Sequence, residues 1–233
     1  MRGLPDLENR SNEPELLDLG VSEYEARRSL GDLRFVNRWL GGRRGLLAAS
    51  RPHLRGGGRL LDVGCGSADL PAFLRERTWA PVLAVGVDIK LLHVREAAPE
   101  VRVVVADVRA LPFPDRAFDV VTASHFLHHF DGEDLVAVLR GLLRLARRAL
   151  VVSDLHRAQV PHLFGRVFFP LLFESPVSVS DGLLSIRRGF RPGELRAALH
   201  EAGATSVSVR RRFPYRLLAV ARGESPPARG GER

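Results

Sequence analysis

The chain predicts an α/β fold, a doubly wound and mostly parallel seven-stranded sheet with a C-terminal antiparallel hairpin, N-terminal helices and a helical insert after strand five. Three observations carry that reading. Apolar runs at 59–63, 82–87, 101–106, 118–123 and 149–153 alternate with stretches of helical periodicity, and buried strands joined by crossovers make a parallel sheet. Two further strand-like runs, 206–213 and 215–221, flank Pro214 and supply the hairpin. A length of 233 residues at 45% hydrophobic content is enough for one well-buried core with accessory segments.

Taken in order, residues 1–55 read as an N-terminal helical extension. Its polar start runs to about Glu15, and Leu30, Leu33, Val36 and Leu40 then fall at helical spacing before Gly41 and Gly42 stop the helix. A short helix over 44–50 follows. Gly56, Gly57 and Gly58 punctuate the entry to the main domain, placed at 56–222. Asp154 and Val207 are about 53 residues apart, more than one crossover helix needs, so extra structure is expected at about 155–190. That insert carries Leu163, Phe164, Val167, Phe168, Phe169, Leu171, Leu172 and Phe173, divided by Pro161, Pro170 and Pro176. It reads as short helices or turns forming a lid over an apolar ligand, with core packing, a dimer interface and shallow membrane association as competing readings. The helix around Phe35 and Trp39 is expected to cover the same opening. A helix over 192–202 closes at Gly203, and the glycine-, proline- and charge-rich tail 223–233 reads as disordered.

The net charge is +8, yet Lys90 is the sole lysine and the arginines are scattered, whereas a polyanion site concentrates charge on one face. Charge alone therefore does not argue for nucleic acid. The single cysteine, Cys65, excludes an intrachain disulfide and fits a reducing cytoplasm. No signal-like start or membrane-length apolar run is present.

The chemistry begins at 60–70, LLDVGCGSADL, where a strand enters a glycine turn and a helix. Gly64 and Gly66 let a ligand approach the backbone, and a helix start favours anionic groups. A dinucleotide fingerprint needs a third glycine where Asp69 stands, and no phosphate-loop Gly-Lys-Ser/Thr follows. Asp88 and Asp107 end the next two strands, at the edge where open α/β sheets bind ligands. A carboxylate at Asp88 can accept both hydroxyls of a ribose. Purely structural roles, as caps or turn residues, compete for Asp62, Asp88 and Asp107 taken singly.

Asp62, Gly64 and Gly66 resemble the first motif of class I S-adenosylmethionine-dependent methyltransferases, with Ala68 where many members have another glycine. The Phe-Asp-Val-Val at 118–121 adds to the resemblance, which spans roughly 30–221. It implies an S-adenosylmethionine site formed by Asp62, Gly64, Cys65, Gly66, Asp88, Ile89, Asp107, Val108 and Ser124, with Asp107 on the adenine amino group and the Val108 N–H on a ring nitrogen. Its nearest flavour is the set acting on quinones, phenols and polyketides, including those of secondary metabolism. The Asn/Asp-Pro-Pro-aromatic motif of amino-methylating DNA enzymes is replaced here by Ser124-His125-Phe126-Leu127.

His125, His128 and His129 follow the fourth strand and are the candidate bases, each weighed against a packing role; Asp154 and His156 follow the fifth strand as second-line candidates. Asp181, Ser185 and Arg187 read more readily as a solvated turn than as substrate contacts. No metal-ligand spacing is present. The expected activity is methyl transfer to an oxygen or carbon of an apolar small molecule, with nucleic acid not expected as partner and a second copy of the chain left open. An RNA-directed methyltransferase and a non-catalytic binding module of the same fold stand as alternatives.

Overall fold

The computed structural model describes residues 7–224. A short helix α1 (Leu16–Leu19) precedes α2 (Glu23–Trp39) and α3 (Gly42–Ser50). Ser22 caps α2 by accepting the Glu25 N–H at 3.2 Å, and Gly41 takes the left-handed conformation between α2 and α3. Five strands then alternate with helices: β1 (Gly58–Val63), α4 (Asp69–Arg77), β2 (Val82–Asp88), α5 (Leu91–Arg95), β3 (Arg102–Val105), β4 (Phe118–Ser124), α6 (Gly132–Leu145) and β5 (Ala146–Leu155). The insert forms α7 (Gln159–Leu172) and α8 (Pro176–Arg188), and α9 (Pro192–Glu201), β6 (Ser206–Arg212) and β7 (Arg216–Arg222) complete the fold.

All seven strands lie in one sheet of order β3-β2-β1-β4-β5-β7-β6. β1 to β5 pair in parallel, while β7 is antiparallel to both β5 and β6. The expected doubly wound sheet with a terminal hairpin is therefore present. Strand order reverses between β1 and β4, and such a switch point opens a crevice at the strands' carboxyl ends. Alternate residues of β1 feed opposite sides: Leu61 and Val63 pack with α6 and α9 through Leu139 and Leu195, whereas Leu60 packs with α3 and α4 through Leu46 and Leu74. Burial on both faces explains why these strands read as continuous apolar runs. β6 is the edge strand, and exposed Arg210, Arg211 and Arg212 blunt it against further pairing.

The insert departs from expectation in one respect. Pro170 lies inside α7 and does not divide it; Phe169, on the helix's inner face, packs with Val36, Leu155, Ile186 and Tyr215 in a third small core, and that packing outweighs the one backbone bond a proline removes. Pro176 does start a helix, at the first turn of α8. The buried Asp32 carboxylate of α2 accepts the N–H groups of Glu174 and Ser175, both at 3.0 Å, so the N-terminal helix and the insert form one unit. Of the tail 223–233, all but Gly223 and Glu224 lie outside the described residues.

Candidate active site

A cleft of about 350 Å³ runs along the carboxyl ends of β1, β2 and β3, bordered by Gly64, Gly66, Asp88, Ile89, Asp107 and Val108. Gly64 and Gly66 have φ of +63° and +53°, a region L side chains rarely adopt. A Cβ on Gly64 would lie 2.3 Å from the Phe126 ring, while one on Gly66 would meet nothing nearer than Leu30 at 3.6 Å. Glycine is thus required at 64 by packing and at 66 by conformation. Ala68 also has positive φ, +53°, which gives a physical reason for the glycine common at that point.

Asp88 is buried at the end of β2. Its Oδ2 accepts the Gly66 N–H and its Oδ1 the Lys90 N–H, both at 2.9 Å, and His93 Nδ1 lies 3.3 Å from Oδ1. Burial pushes this carboxyl up, but His93 and the backbone donors outweigh it and hold the group below its ordinary value. Each carboxylate oxygen has two acceptor sites, so Oδ1 is filled and Oδ2 keeps one. The expectation that Asp88 accepts both hydroxyls of a ribose is narrowed to one while His93 holds this position. Asp107 caps a short 3-10 turn by accepting the Arg109 N–H at 2.9 Å, and its carboxylate still borders the cleft.

Three residues expected at the cofactor face elsewhere. Asp62 is fully buried beneath the glycine turn, accepts Thr122 Oγ1–H at 2.6 Å and is pushed up to about 7 by desolvation. The Cys65 side chain packs in the core against Gly86, and burial raises its thiol pKa. Ser124 is buried 3.5 Å from the Arg216 guanidinium. Strand pleating sends the Asp62 and Ser124 side chains away from the cleft, and the path of the turn does the same for Cys65.

The candidate bases separate by environment. His128 is buried with Nδ1 2.7 Å from Asp154 Oδ1 and Nε2 3.3 Å from Glu15. Burial disfavours its charge, but the two carboxylates prevail and raise it to about 9. With both nitrogens engaged, His128 together with Asp154 ties the loop after β4 to Glu15. His129 pairs through Nδ1 with Asp18 at 3.0 Å. His125, at φ +50°, is held by its own N–H to the Ser153 carbonyl at 3.0 Å. Its Nε2 is shielded from solvent and has no hydrogen-bond partner among the described residues. Burial first, then the Arg216 guanidinium, push it well below the usual histidine value, leaving a neutral ring. His156 lines a separate cleft with Arg157 and Arg191.

His125 also borders a second, apolar cavity of about 80 Å³, lined by Leu33 and Val36 of α2, Leu155, Phe169, Phe173 and Tyr215. The two cavities share Glu15, Leu17, Leu33, His125 and Ser185 as walls. Ser29, Asp32, Leu33 and Val36, and not Phe35 and Trp39, are the α2 residues that line the opening. Ligand pockets commonly measure about 300–1,000 Å³, and this cavity is smaller than that range.

The segment 7–20, which the sequence left as an irregular start as far as about Glu15, borders both cavities through Glu15 and Leu17. The Asp181 carboxylate accepts the Leu16 and Leu17 N–H groups at 2.8 and 2.9 Å, and Ser185 Oγ–H donates to Glu15 at 2.6 Å. Lys90 Nζ donates to the Leu17 carbonyl at 2.8 Å and to Asp18 at 3.0 Å. Asp181 and Ser185 are therefore buried clasps, not a solvated turn. Ligand atoms of Glu15, His128 and His129 lie within 4.8 Å of one another. No spacing rule finds such a group, because Glu15 comes from a distant segment.

Residues 60–149 match a family model described as a methyltransferase domain. The demethylmenaquinone methyltransferase of Roseiflexus castenholzii is 33% identical over 181 residues, covering 70% of this chain and 72% of that protein. The 27-O-demethylrifamycin SV methyltransferase of Amycolatopsis mediterranei is 40% identical over 103 residues, 40% of this chain and 36% of its own length. In fold, the chain is similar to a SAM dependent methyltransferase from Aquifex aeolicus (TM-score 0.62, 17% identity, 87% of this chain and 98% of that one). It is likewise similar to human N-acetylserotonin methyltransferase (TM-score 0.63, 15% identity, 87% and 57%). These relationships set aside the RNA-directed and non-catalytic alternatives. With its seven-stranded sheet, its glycine turn and its acidic strand ends, the chain belongs to the class I S-adenosylmethionine-dependent methyltransferases that act on small molecules.

Proposed function

We propose that the acceptor is an apolar, ring-bearing molecule of phenolic or quinone type and that the methyl group goes to one of its oxygens or ring carbons. The observation that carries this reading is the position of His125, a neutral imidazole with an unpartnered Nε2 at the wall between the cofactor cleft and an apolar, aromatic-lined cavity. The names of the Roseiflexus and Amycolatopsis relatives agree with it.

When bound, S-adenosylmethionine supplies a methyl group already activated on a sulfonium. The residues present fit it: Gly64 and Gly66 would pass its methionine end, Asp88 a ribose hydroxyl through the free site on Oδ2, and Asp107 and Val108 the adenine, beside Ile89. Cys65 and Ser124 would contribute through the backbone, and Asp62 by holding β1 to β4. His125 Nε2 takes the acceptor's hydroxyl or ring proton, with Asp154 and His128 fixing the loop that carries it. Orientation supplies most of the acceleration in such reactions, up to ~7–11 kcal/mol, and a base a smaller factor. Phe169, Phe173 and Tyr215 hold the acceptor ring, and the 7–20 strap excludes water when clasped. In this reading residues 56–222 are the catalytic unit, with 1–55 and the 155–190 insert building the acceptor side, and the single cysteine is in keeping with a reducing cytoplasm.

Incubating the protein with S-adenosylmethionine and a panel of phenols and reduced naphthoquinones tests this by mass spectrometry. The expected result is one added methyl group on at least one ring-bearing acceptor. Methylation confined to open-chain or charged acceptors would overturn the reading.

A further inference from the structure

Helix α7 is apolar on both sides. Its inner face puts Phe169 into the third core, yet its outer face carries Val160, Leu163, Val167 and Leu171, spaced three or four residues apart and all exposed, with Val160 at 72% and Leu171 at 75%. A helix apolar all round belongs inside a protein or against another apolar phase, and this one is covered by nothing on that face among the described residues. The patch continues beyond the helix. Phe213, 84% exposed after β6, has its ring 6.3 Å from Phe164, which in turn lies 4.6 Å from Phe168. A Cβ on Gly41 would sit 3.4 Å from the Phe213 carbonyl, so the end of α2, with exposed Trp39, borders the same surface.

The rim is cationic. Arg166 flanks the stripe on α7, Arg211 and Arg212 precede Phe213, and the Arg38 guanidinium lies 5.2 Å from the Trp39 ring; all are exposed. An apolar stripe bordered by arginines, with an indole at its edge, suits an interface with hydrocarbon on one side and anionic headgroups around it. The 14-residue helix is only about 21 Å long at 1.5 Å per residue, and no helix of the described residues is long and apolar enough to cross a membrane. The helix would lie in the interface plane. A second copy of the chain fits less well, because a two-fold contact places the same patch on both sides and would set these arginines against one another.

We infer that the outer face of α7, with Phe213 and Trp39, docks on the surface of an anionic lipid bilayer. If the proposed acceptor class is right, docking brings the apolar cavity behind Phe169 next to the phase in which an apolar acceptor dissolves.

Flotation of the full chain with vesicles tests the docking without any assay of methyl transfer. Vesicles of equal parts phosphatidylglycerol and phosphatidylcholine should bind the protein at least ~tenfold better than pure phosphatidylcholine, with the difference shrinking as salt is added. Leu163→Glu combined with Leu171→Glu, both at exposed positions, should lower that binding at least ~tenfold while melting temperature and S-adenosylmethionine affinity stay unchanged. Arg211→Glu with Arg212→Glu should weaken only the anionic preference. Absence of wild-type flotation on either vesicle would overturn the inference even if methyl transfer is intact. Equal binding by the Leu163/Leu171 variant would remove α7 as the docking face. A concentration-dependent doubling of mass in sedimentation, abolished by the same pair of changes, together with no vesicle binding, would assign the patch to a second copy instead.

Discussion

Asp154 clamps the loop that follows β4 from both of its oxygens: Oδ1 lies 2.7 Å from His128 Nδ1, and Oδ2 accepts the Leu127 N–H at 2.8 Å. The opposite nitrogen of His128 faces Glu15 on the strap at 3.3 Å. One buried histidine therefore joins the end of β5, the β4 loop and the segment that borders the cleft.

That arrangement makes stability depend on pH. His128 is raised to about 9 in the folded chain against ~6.5 when unfolded. A raised folded value means its stabilisation is complete below about pH 6.5 and is lost as pH rises through about 9. The melting temperature should fall between pH 7 and pH 10. His128→Gln should lower it at pH 7 and flatten the decline, as differential scanning calorimetry would record; an unchanged slope would show that other groups govern it.

His125→Ala should lower kcat by about a hundredfold while leaving S-adenosylmethionine affinity within about threefold, since His125 is proposed to touch the acceptor. Because its pKa lies well below the usual histidine value, the acid limb of the wild-type kcat/KM profile should fall below pH 6.5. A limb at or above that pH would point to a different base.

Asp88→Ala removes the acceptor of the Gly66 N–H as well as the proposed ribose contact. One lost charge-assisted bond to the ribose is worth ~1.5–3 kcal/mol, or roughly ten- to a hundredfold in the cofactor's Kd. Calorimetric titration with S-adenosylmethionine and with its demethylated product should show the same loss for both. A Kd within threefold of wild type would take Asp88 out of the site.

Adjacent phenylalanines should behave differently. Phe169 is buried in the third core and lines the apolar cavity, whereas Phe168 is exposed. Phe169→Ala should cost about 3–5 kcal/mol of stability and raise the acceptor KM. Phe168→Ser should change stability by under about 1 kcal/mol and leave KM unaltered. Urea unfolding and steady-state kinetics on the pair decide this, and equal effects would mean that α7 is not held in the orientation described.

Asp181→Ala should unclasp the strap, because it deprives two backbone N–H groups of their acceptor. Hydrogen exchange over residues 7–20 should speed up at least ~tenfold, with exchange in β1, β4 and β5 unchanged. Uniform acceleration throughout would indicate global destabilisation and no separate strap.

Much of this protein was legible in one dimension because the physics involved is local. Burial on both faces makes β1, β2 and β4 read as apolar runs, and a backbone that must adopt positive φ makes Gly64 and Gly66 stand out before Asp88 and Asp107 mark the strand ends. The sheet and the cleft follow from those patterns, the cofactor follows from the family resemblance that they carry, and the match of Pro192 to a helix start and Gly203 to its close has the same local origin. Other features are settled by the packing of distant segments. Strand pleat and the turn's path decide that Asp62 and Cys65 face inward, and no spacing announces it. The continuity of α7 through Pro170 depends on Phe169 finding Val36 and Tyr215. Likewise the division of labour among His125, His128 and His129 comes from Glu15 and Asp18, which arrive from a polar segment without periodicity. Sequence patterns record which backbone shapes and burials a residue tolerates; the charge a histidine carries is set by neighbours that only the folded chain brings within a few ångströms.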